Sequence, residues 1–247
     1  MKDFAHERLP RGYELYETVD LAGKAMKVMA IFVVLLTLGM VLWGILLSGH
    51  PVSEAFQMEA FRIAFAAGGM IMGMVVYLFV HEGVHGFFIK MFSGTAPFYG
   101  KDLKKGMFYA GSSCFFGKTA YVTIALAPLV IWGIVIAIML SELSTNAPQY
   151  WWYLYMIQIF NFTGAAGDLY IACRTLGMPK EVLVQDSGTA MKFSCRQTYS
   201  DTTKIIRLAV EPEISTAERF FARIFREGFF IWVPDFDIFR QGRVVLW

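Results

Sequence analysis

The chain has 247 residues, of which 56% are hydrophobic, 16% aromatic and only 17% charged. Soluble domains carry more charge and fewer apolar residues, so this composition indicates a membrane protein. The net charge of +2 gives no reason to expect a nucleic-acid partner. Topology and contact with lipid headgroups explain the basic residues better.

Four uncharged, apolar runs follow one another along the chain, and each meets or approaches the roughly 20 residues that a helix needs to cross the hydrocarbon core. They cover residues 28–48, 63–80, 119–140 and 147–167. We therefore predict an all-α transmembrane bundle of four helices. A cytoplasmic β-hairpin-like loop and a small mixed α/β cytoplasmic tail are expected in addition.

Lysine and arginine are concentrated in three segments, which predicts the orientation of the helices. The segment before the first apolar run holds five of them, the loop between the second and third runs holds five, and the tail from Arg174 holds eleven. The two remaining loops hold only Arg62. We expect a cytoplasmic N-terminal segment at 1–27, a four-helix transmembrane core at 28–175 and a cytoplasmic tail at 176–247.

Two further expectations concern processing and redox state. No cleavable signal peptide is expected, because 27 rather polar residues precede the first apolar run and no small-residue cleavage pattern follows it. Cys114, Cys173 and Cys195 are odd in number and fall on or near the predicted cytoplasmic side. Thiols stay reduced there, so we expect no disulfide.

The sequence HEGVH, at residues 81–85, places ionisable groups at the end of the second apolar run. His81 and His85 are four residues apart, so a helix presents both imidazoles on one face, where they can bind one metal ion. Glu82 is adjacent and can act on a metal-activated water, as in the HExxH motif of zinc hydrolases. The alternative is an interfacial helix with hydrated histidines and no metal.

A catalytic zinc ion normally has three protein ligands and one open position, so the motif predicts one more ligand. Asp168 is the acid that interrupts a transmembrane pattern, and an intramembrane acid is a functional candidate by default. Counting along helices two and four places Asp168 and His81 at similar depths, near the cytoplasmic leaflet. Asp168 paired with Arg174 or Lys90 is the alternative, and Asp186 is the second candidate ligand.

These residues carry a resemblance to a known family. HEGVH, an Asn seven residues before an Asp (Asn161 and Asp168), the sequence ALAPLV in helix three and VLVQDSGTAMKF after helix four resemble the zincin peptidases of bacterial membranes. These are multi-pass proteins of the cell membrane related to site-2 protease-type intramembrane metalloproteases. The resemblance implies that His81, His85 and Asp168 bind Zn2+, that Glu82 is the catalytic acid and base, and that Asn161 lines the site and binds substrate.

The loop at 93–118 resembles two short aromatic strands around the charged turn KDLKK. One edge of such a hairpin can pair with a peptide substrate, whereas a surface hairpin or re-entrant segment that only packs beside the site is an equal alternative. For Asn161, hydrogen bonding to substrate or to a developing oxyanion and hydrogen bonding to a neighbouring helix are equal alternatives.

The sequence of the tail predicts a turn at 186–188 between two strand-like runs. It also predicts a helix whose capping box is formed by Ser215 and Glu218. That helix has a basic side and an aromatic side, which suits either a membrane surface or packing on the bundle.

Together, the residues predict an intramembrane zinc metallopeptidase. It would hydrolyse a peptide bond of a membrane-associated protein near the cytoplasmic face, by zinc-activated water with Glu82 as general base. A non-enzymatic membrane protein with a structural metal site or a partner-binding role is the alternative.

Overall fold

The computed structural model describes residues 4–20, 24–102, 107–188 and 190–196. Much of the predicted tail, including the capping box at Ser215 and Glu218, lies outside these residues.

Five α-helices lie within the described part of the chain. They are α1 (Lys24–Leu47), α2 (Ala60–Ser93), α3 (Lys118–Asn146), α4 (Trp151–Gly164) and α5 (Ala166–Leu176). Three of them contain a stretch long and apolar enough to cross a membrane, namely α1, α2 and α3. Large apolar side chains are exposed on their outer faces, for example Leu42 on α1, Phe65 on α2 and Ile134 on α3. Such surfaces support membrane association, because a soluble monomer rarely exposes so many apolar side chains.

The fourth predicted span, at 147–167, differs from the structure. Its helix divides at Ala165 into α4, with 14 residues, and α5, with 11. Gly164 and Gly167 flank the break, and glycine is the weakest helix former apart from proline. Among the described helices, neither of the two is long enough to count as a span by itself.

Seven β-strands are also described, so the prediction of an all-α bundle was wrong. They are β1 (Ala5–His6), β2 (Tyr13–Asp20), β3 (Phe98–Asp102), β4 (Met107–Gly111), β5 (Phe115–Gly117), β6 (Leu183–Asp186) and β7 (Ala190–Arg196). Five form one sheet in the order β1-β5-β6-β7-β2, in which every pairing is antiparallel. This sheet joins the N-terminal segment, the start of α3 and the first part of the predicted tail.

Non-local pairing explains why the sequence did not reveal this sheet. Strand β2 pairs with β7, which lies far away in the sequence, and a bulge between Leu15 and Glu17 breaks the alternation of side chains along β2. The predicted turn at 186–188 is confirmed, because β6 and β7 pair across it. Phe116, Val184 and Phe193 are fully buried in this sheet.

The hairpin predicted between helices two and three is confirmed. Strands β3 and β4 pair antiparallel from Phe98 opposite Gly111 to Asp102 opposite Met107. The hairpin packs on α2 at Gly86, where a Cβ atom would lie only 1.9 Å from the Tyr99 hydroxyl. The missing side chain at Gly86 therefore allows the hairpin to lie directly against the HEGVH segment.

Candidate metal centre

Two buried histidines on α2 form the centre of the site. His81 and His85 are 7% and 8% exposed, and their ring centroids lie 4.9 Å apart in an edge-to-face arrangement. One helical turn separates them, so both rings point to the same side of α2. Their Nε2 atoms are 3.2 Å apart.

Helix α3 orients His85. Its Nδ1 atom lies 2.9 Å from the backbone carbonyl oxygen of Ile124, which can only accept a hydrogen bond. In a regular helix, the amide four residues later would bond this carbonyl, but that residue is Pro128, which has no N–H group. His85 therefore donates through Nδ1 to a carbonyl that has no helical donor, and its Nε2 atom keeps a free lone pair.

Tyr77 makes the corresponding contact with His81. Its hydroxyl lies 2.7 Å from His81 Nδ1 and 2.8 Å from Asn161 Oδ1. Tyr77 precedes His81 by four residues, so the two side chains are neighbours on one face of α2. Both side chains are buried, with Tyr77 5% exposed.

Asp168 reaches the same point from α5. Its Oδ2 atom lies 3.1 Å from His81 Nε2, and its Oδ1 atom lies 3.5 Å from His85 Nε2. It stands in the first turn of α5, just after the break at Ala165. The predicted meeting of Asp168 with His81 is thus confirmed. Arg174, an alternative partner for Asp168, instead pairs with Glu17.

The three side chains fit a divalent metal ion. One ligand atom from each of His81, His85 and Asp168 lies within 4.8 Å of the other two. Two lone pairs and a carboxylate directed at one point repel one another unless positive charge compensates them. Two imidazoles and a carboxylate are a usual protein ligand set for zinc, with a further position left open.

A cavity of about 420 Å³ opens beside these ligands. Glu82 lies in its wall and accepts a hydrogen bond from the backbone amide of Ala110 on β4. Helix α1 contributes Met26 and Met29, and the hairpin contributes Phe108 and Tyr109. The cavity is therefore lined by helices on one side and by the hairpin on another.

Asn161 is fully buried, and both polar groups of its side chain are used within the protein. Its Oδ1 atom accepts from Tyr77, and its Nδ2 atom donates to the carbonyl oxygen of Leu129 at 3.4 Å. Asn161 therefore hydrogen-bonds neighbouring helices, which was one of the two alternatives. Binding of substrate by Asn161 stays a prediction.

Asp186, the second candidate ligand, lies in the cavity wall outside the group of three converging side chains. The Tyr121 hydroxyl donates to its Oδ2 atom at 2.8 Å, and the Gly188 amide donates to its Oδ1 atom at 2.7 Å. Burial raises the pKa of the Asp186 carboxyl above its usual value, and these two hydrogen bonds oppose the rise. These contacts indicate that Asp186 stabilises the turn between β6 and β7.

The sequence reasoning missed Tyr77 and the Ile124 carbonyl. A signal was present for each, because Tyr77 lies one helical turn before His81, and Pro128 frees a carbonyl in the middle of a helix. Neither signal identifies its partner, since the contacts depend on how α2, α3 and α4 pack.

Comparison with known proteins gives two findings. Residues 73–183 match the model of a family described as "Putative zincin peptidase". A protein of Pyrococcus woesei described as "Uncharacterized 24.7 kDa protein in gap 5'region" is 32% identical over 128 residues, which are 50% of this chain and 53% of that protein. The chain thus spans about half the length of this relative.

No solved structure matches the chain significantly. The segment that matches the family model contains His81, Glu82, His85 and Asp168. The comparison therefore supports a zincin-like, peptidase-like enzyme at a coarse level, and zinc is the metal that this family implies.

Proposed function

We propose that the protein is an intramembrane zinc metallopeptidase that cuts a membrane-associated protein near the cytoplasmic face. The convergence of His81, His85 and Asp168 on one point, beside Glu82, carries this proposal. Two of these ligands and the glutamate lie on α2, a helix long and apolar enough to cross a membrane. Ionisable groups are expensive in such a segment, so a shared function is the best reason for their presence.

Glu82 is suited to act as the general base. It follows His81 directly in the sequence and lies in the cavity wall, outside the group of converging ligands. When bound, zinc would polarise a peptide carbonyl and lower the pKa of a water molecule. Glu82 would take a proton from the attacking water and give it to the leaving amine.

The hairpin offers a place for the substrate backbone. Strand β4 pairs with β3 along one edge, while its Ala110 amide is directed at Glu82. The other edge of β4 therefore runs along the cavity. We propose that an extended substrate segment pairs with this edge, because a helical segment would hide its carbonyl groups in its own hydrogen bonds.

A structural metal site or a partner-binding role in a non-enzymatic membrane protein is the second candidate. Structural zinc sites normally have four protein ligands. Three His, Cys, Asp or Glu side chains converge here among the described residues, which favours a site with an open position. Intact biological function in a Glu82→Gln variant would favour the second candidate.

Glu82→Gln separates chemistry from metal binding. Membranes would be prepared from cells whose only copy of this protein is either the wild type or the variant, and newly formed protein termini would be compared by mass spectrometry. Zinc per chain would be measured in both purified proteins. We expect zinc content to be unchanged and the new termini to disappear in the variant, because the amide cannot accept the proton. Identical termini from both membranes would contradict peptidase activity.

A further inference from the structure

The hydrogen bonds to the Nδ1 atoms of the two histidines have a fixed direction. Asn161 Nδ2 donates to the Leu129 carbonyl, so Asn161 Oδ1 is the atom that faces Tyr77, and it can only accept. The Tyr77 hydroxyl has one hydrogen and must donate it to Asn161. Its oxygen can then only accept from His81 Nδ1, which leaves the lone pair of His81 on Nε2.

The lone pair of His85 also lies on Nε2, but a different contact places it there. Its Nδ1 atom donates to the Ile124 carbonyl, which is available because Pro128 provides no amide hydrogen. Both hydrogen-bond chains end on carbonyl groups of α3, at Ile124 and at Leu129. One helix thus determines which nitrogen of each imidazole is protonated.

We propose that Tyr77, Asn161 and Pro128 are positioning residues that hold both histidines with Nε2 free to bind metal. The inference rests on the proposed function, since these residues act on the proposed zinc ligands of that site through hydrogen bonds. None of these three residues is proposed as a ligand. Outer hydrogen-bond partners of this kind fix the ring orientation and raise the basicity of ligating histidines, and their loss typically costs about 10- to 100-fold in metal affinity.

Tyr77→Phe removes only the hydroxyl that links His81 to Asn161. The matched control is Tyr155→Phe, because Tyr155 is also buried, at 3% exposure, and its hydroxyl donates to the Met40 carbonyl at 2.8 Å. Tyr155 belongs to a core cluster around Trp151 and Trp152 and does not line the site cavity. Each variant removes one buried hydroxyl, which makes two hydrogen bonds at Tyr77 and one at Tyr155, so the stability of both metal-free proteins is measured beside their metal affinity.

Pro128→Ala gives a second variant with an independent signature. An alanine supplies an amide that competes with His85 for the Ile124 carbonyl. Removing a proline from a helix interior favours the helix, so the metal-free protein should unfold at an equal or higher temperature. A weaker metal site in a protein that is no less stable cannot arise from general damage to the fold.

The experiment titrates each purified, metal-free, full-length protein with Co2+ alone and records the visible absorption, which reports the coordination of cobalt. We expect Tyr77→Phe and Pro128→Ala to raise the cobalt dissociation constant by about 10-fold or more and to shift the absorption bands. Tyr155→Phe should match the wild type in both. Unchanged affinity and spectrum in Tyr77→Phe and Pro128→Ala, or an equal loss in Tyr155→Phe, would overturn the inference. Wild-type protein that binds no Co2+ would instead overturn the proposed metal site itself.

Discussion

Asp168 and Asp186 both face the cavity, but their partners give the two carboxyl groups different roles. Asp168 is directed at the Nε2 atoms of His81 and His85. Asp186 accepts hydrogen bonds from Tyr121 and Gly188 and closes the turn between β6 and β7. A carboxylate that faces two imidazoles favours a bound cation, whereas one engaged by a hydroxyl and an amide does not require one.

The raised pKa of Asp186 predicts a pH-dependent contribution to stability. Because the folded-state pKa lies above the unfolded value, the folded state binds more protons than the unfolded state between the two values. This contribution is therefore fully present below the unfolded value of about 4 and is lost as the pH rises through the raised folded value. Asp186→Asn should remove the effect, because an amide does not ionise.

The measurement is the unfolding temperature of metal-free wild type and Asp186→Asn in detergent across the acid range. We expect the variant to gain stability relative to the wild type as the pH rises towards neutrality. A difference between the two proteins that does not change with pH would contradict the assignment.

At the scale of elements, α5 is fixed near its C-terminal end by contacts with β2 and with Lys118. Arg174 on α5 is 4% exposed and donates to both carboxylate oxygens of Glu17 on β2, at 2.6 Å in the case of Oε1. Lys118 donates to the carbonyl oxygens of Leu176 and Met178 at the end of α5, where a cation is favourable. The N-terminal strand β2 thus helps to fix the helix that carries Asp168.

Glu17→Gln should destabilise the protein, because it leaves the Arg174 guanidinium buried without its counter-charge. Loss of one partner of a buried pair typically costs 3–5 kcal/mol, and the partial exposure of Glu17 reduces our expectation to about 2–3 kcal/mol. The free energy of unfolding in detergent measures this change. Glu14→Gln on the same strand is the control and should have little effect.

A double variant, Glu17→Leu with Arg174→Met, tests the cause of that loss. Apolar side chains remove the buried charge together with its partner, so part of the lost stability should return. Equal destabilisation in Glu14→Gln and Glu17→Gln would show that the ion pair is not responsible.

The sequence predicted those features that depend on local spacing. The HEGVH segment, the hairpin around residues 101–105 and the turn at 186–188 all follow from helical periodicity or turn chemistry within a few residues. Counting residues along predicted helices two and four, which run in the same direction, was also sufficient to predict that Asp168 meets His81.

Features that depend on distant partners were not predictable in the same way. Strand β2 contains a bulge that interrupts its side-chain alternation, and its partner β7 lies far away in the sequence. The division of the fourth predicted span at Ala165 depends on a few small residues whose effect on a helix varies with tertiary packing. The hydrogen bonds of Tyr77 and His85 cross between helices, so their partners become visible only in the folded structure.

For the whole molecule, helices α2 and α5 and the β3–β4 hairpin meet around one candidate metal site. Helix α2 contributes His81 and His85, α5 contributes Asp168, and the β3–β4 hairpin covers Glu82. The segment at 73–183 that resembles zincin peptidases holds all of these groups, while β1 and β2 lie before it. Metal binding should consequently stabilise the whole fold, since the ligands converge only in the folded state.

Zinc per chain, measured by elemental analysis of purified wild type, Asp168→Ala and Asp186→Asn, tests this claim most directly. The two substitutions remove a carboxylate from the same cavity, but only Asp168 belongs to the converging group. We predict one zinc ion per chain in the wild type and in Asp186→Asn, and much less than one in Asp168→Ala. A wild type without zinc, or equal zinc in the wild type and Asp168→Ala, would contradict the account.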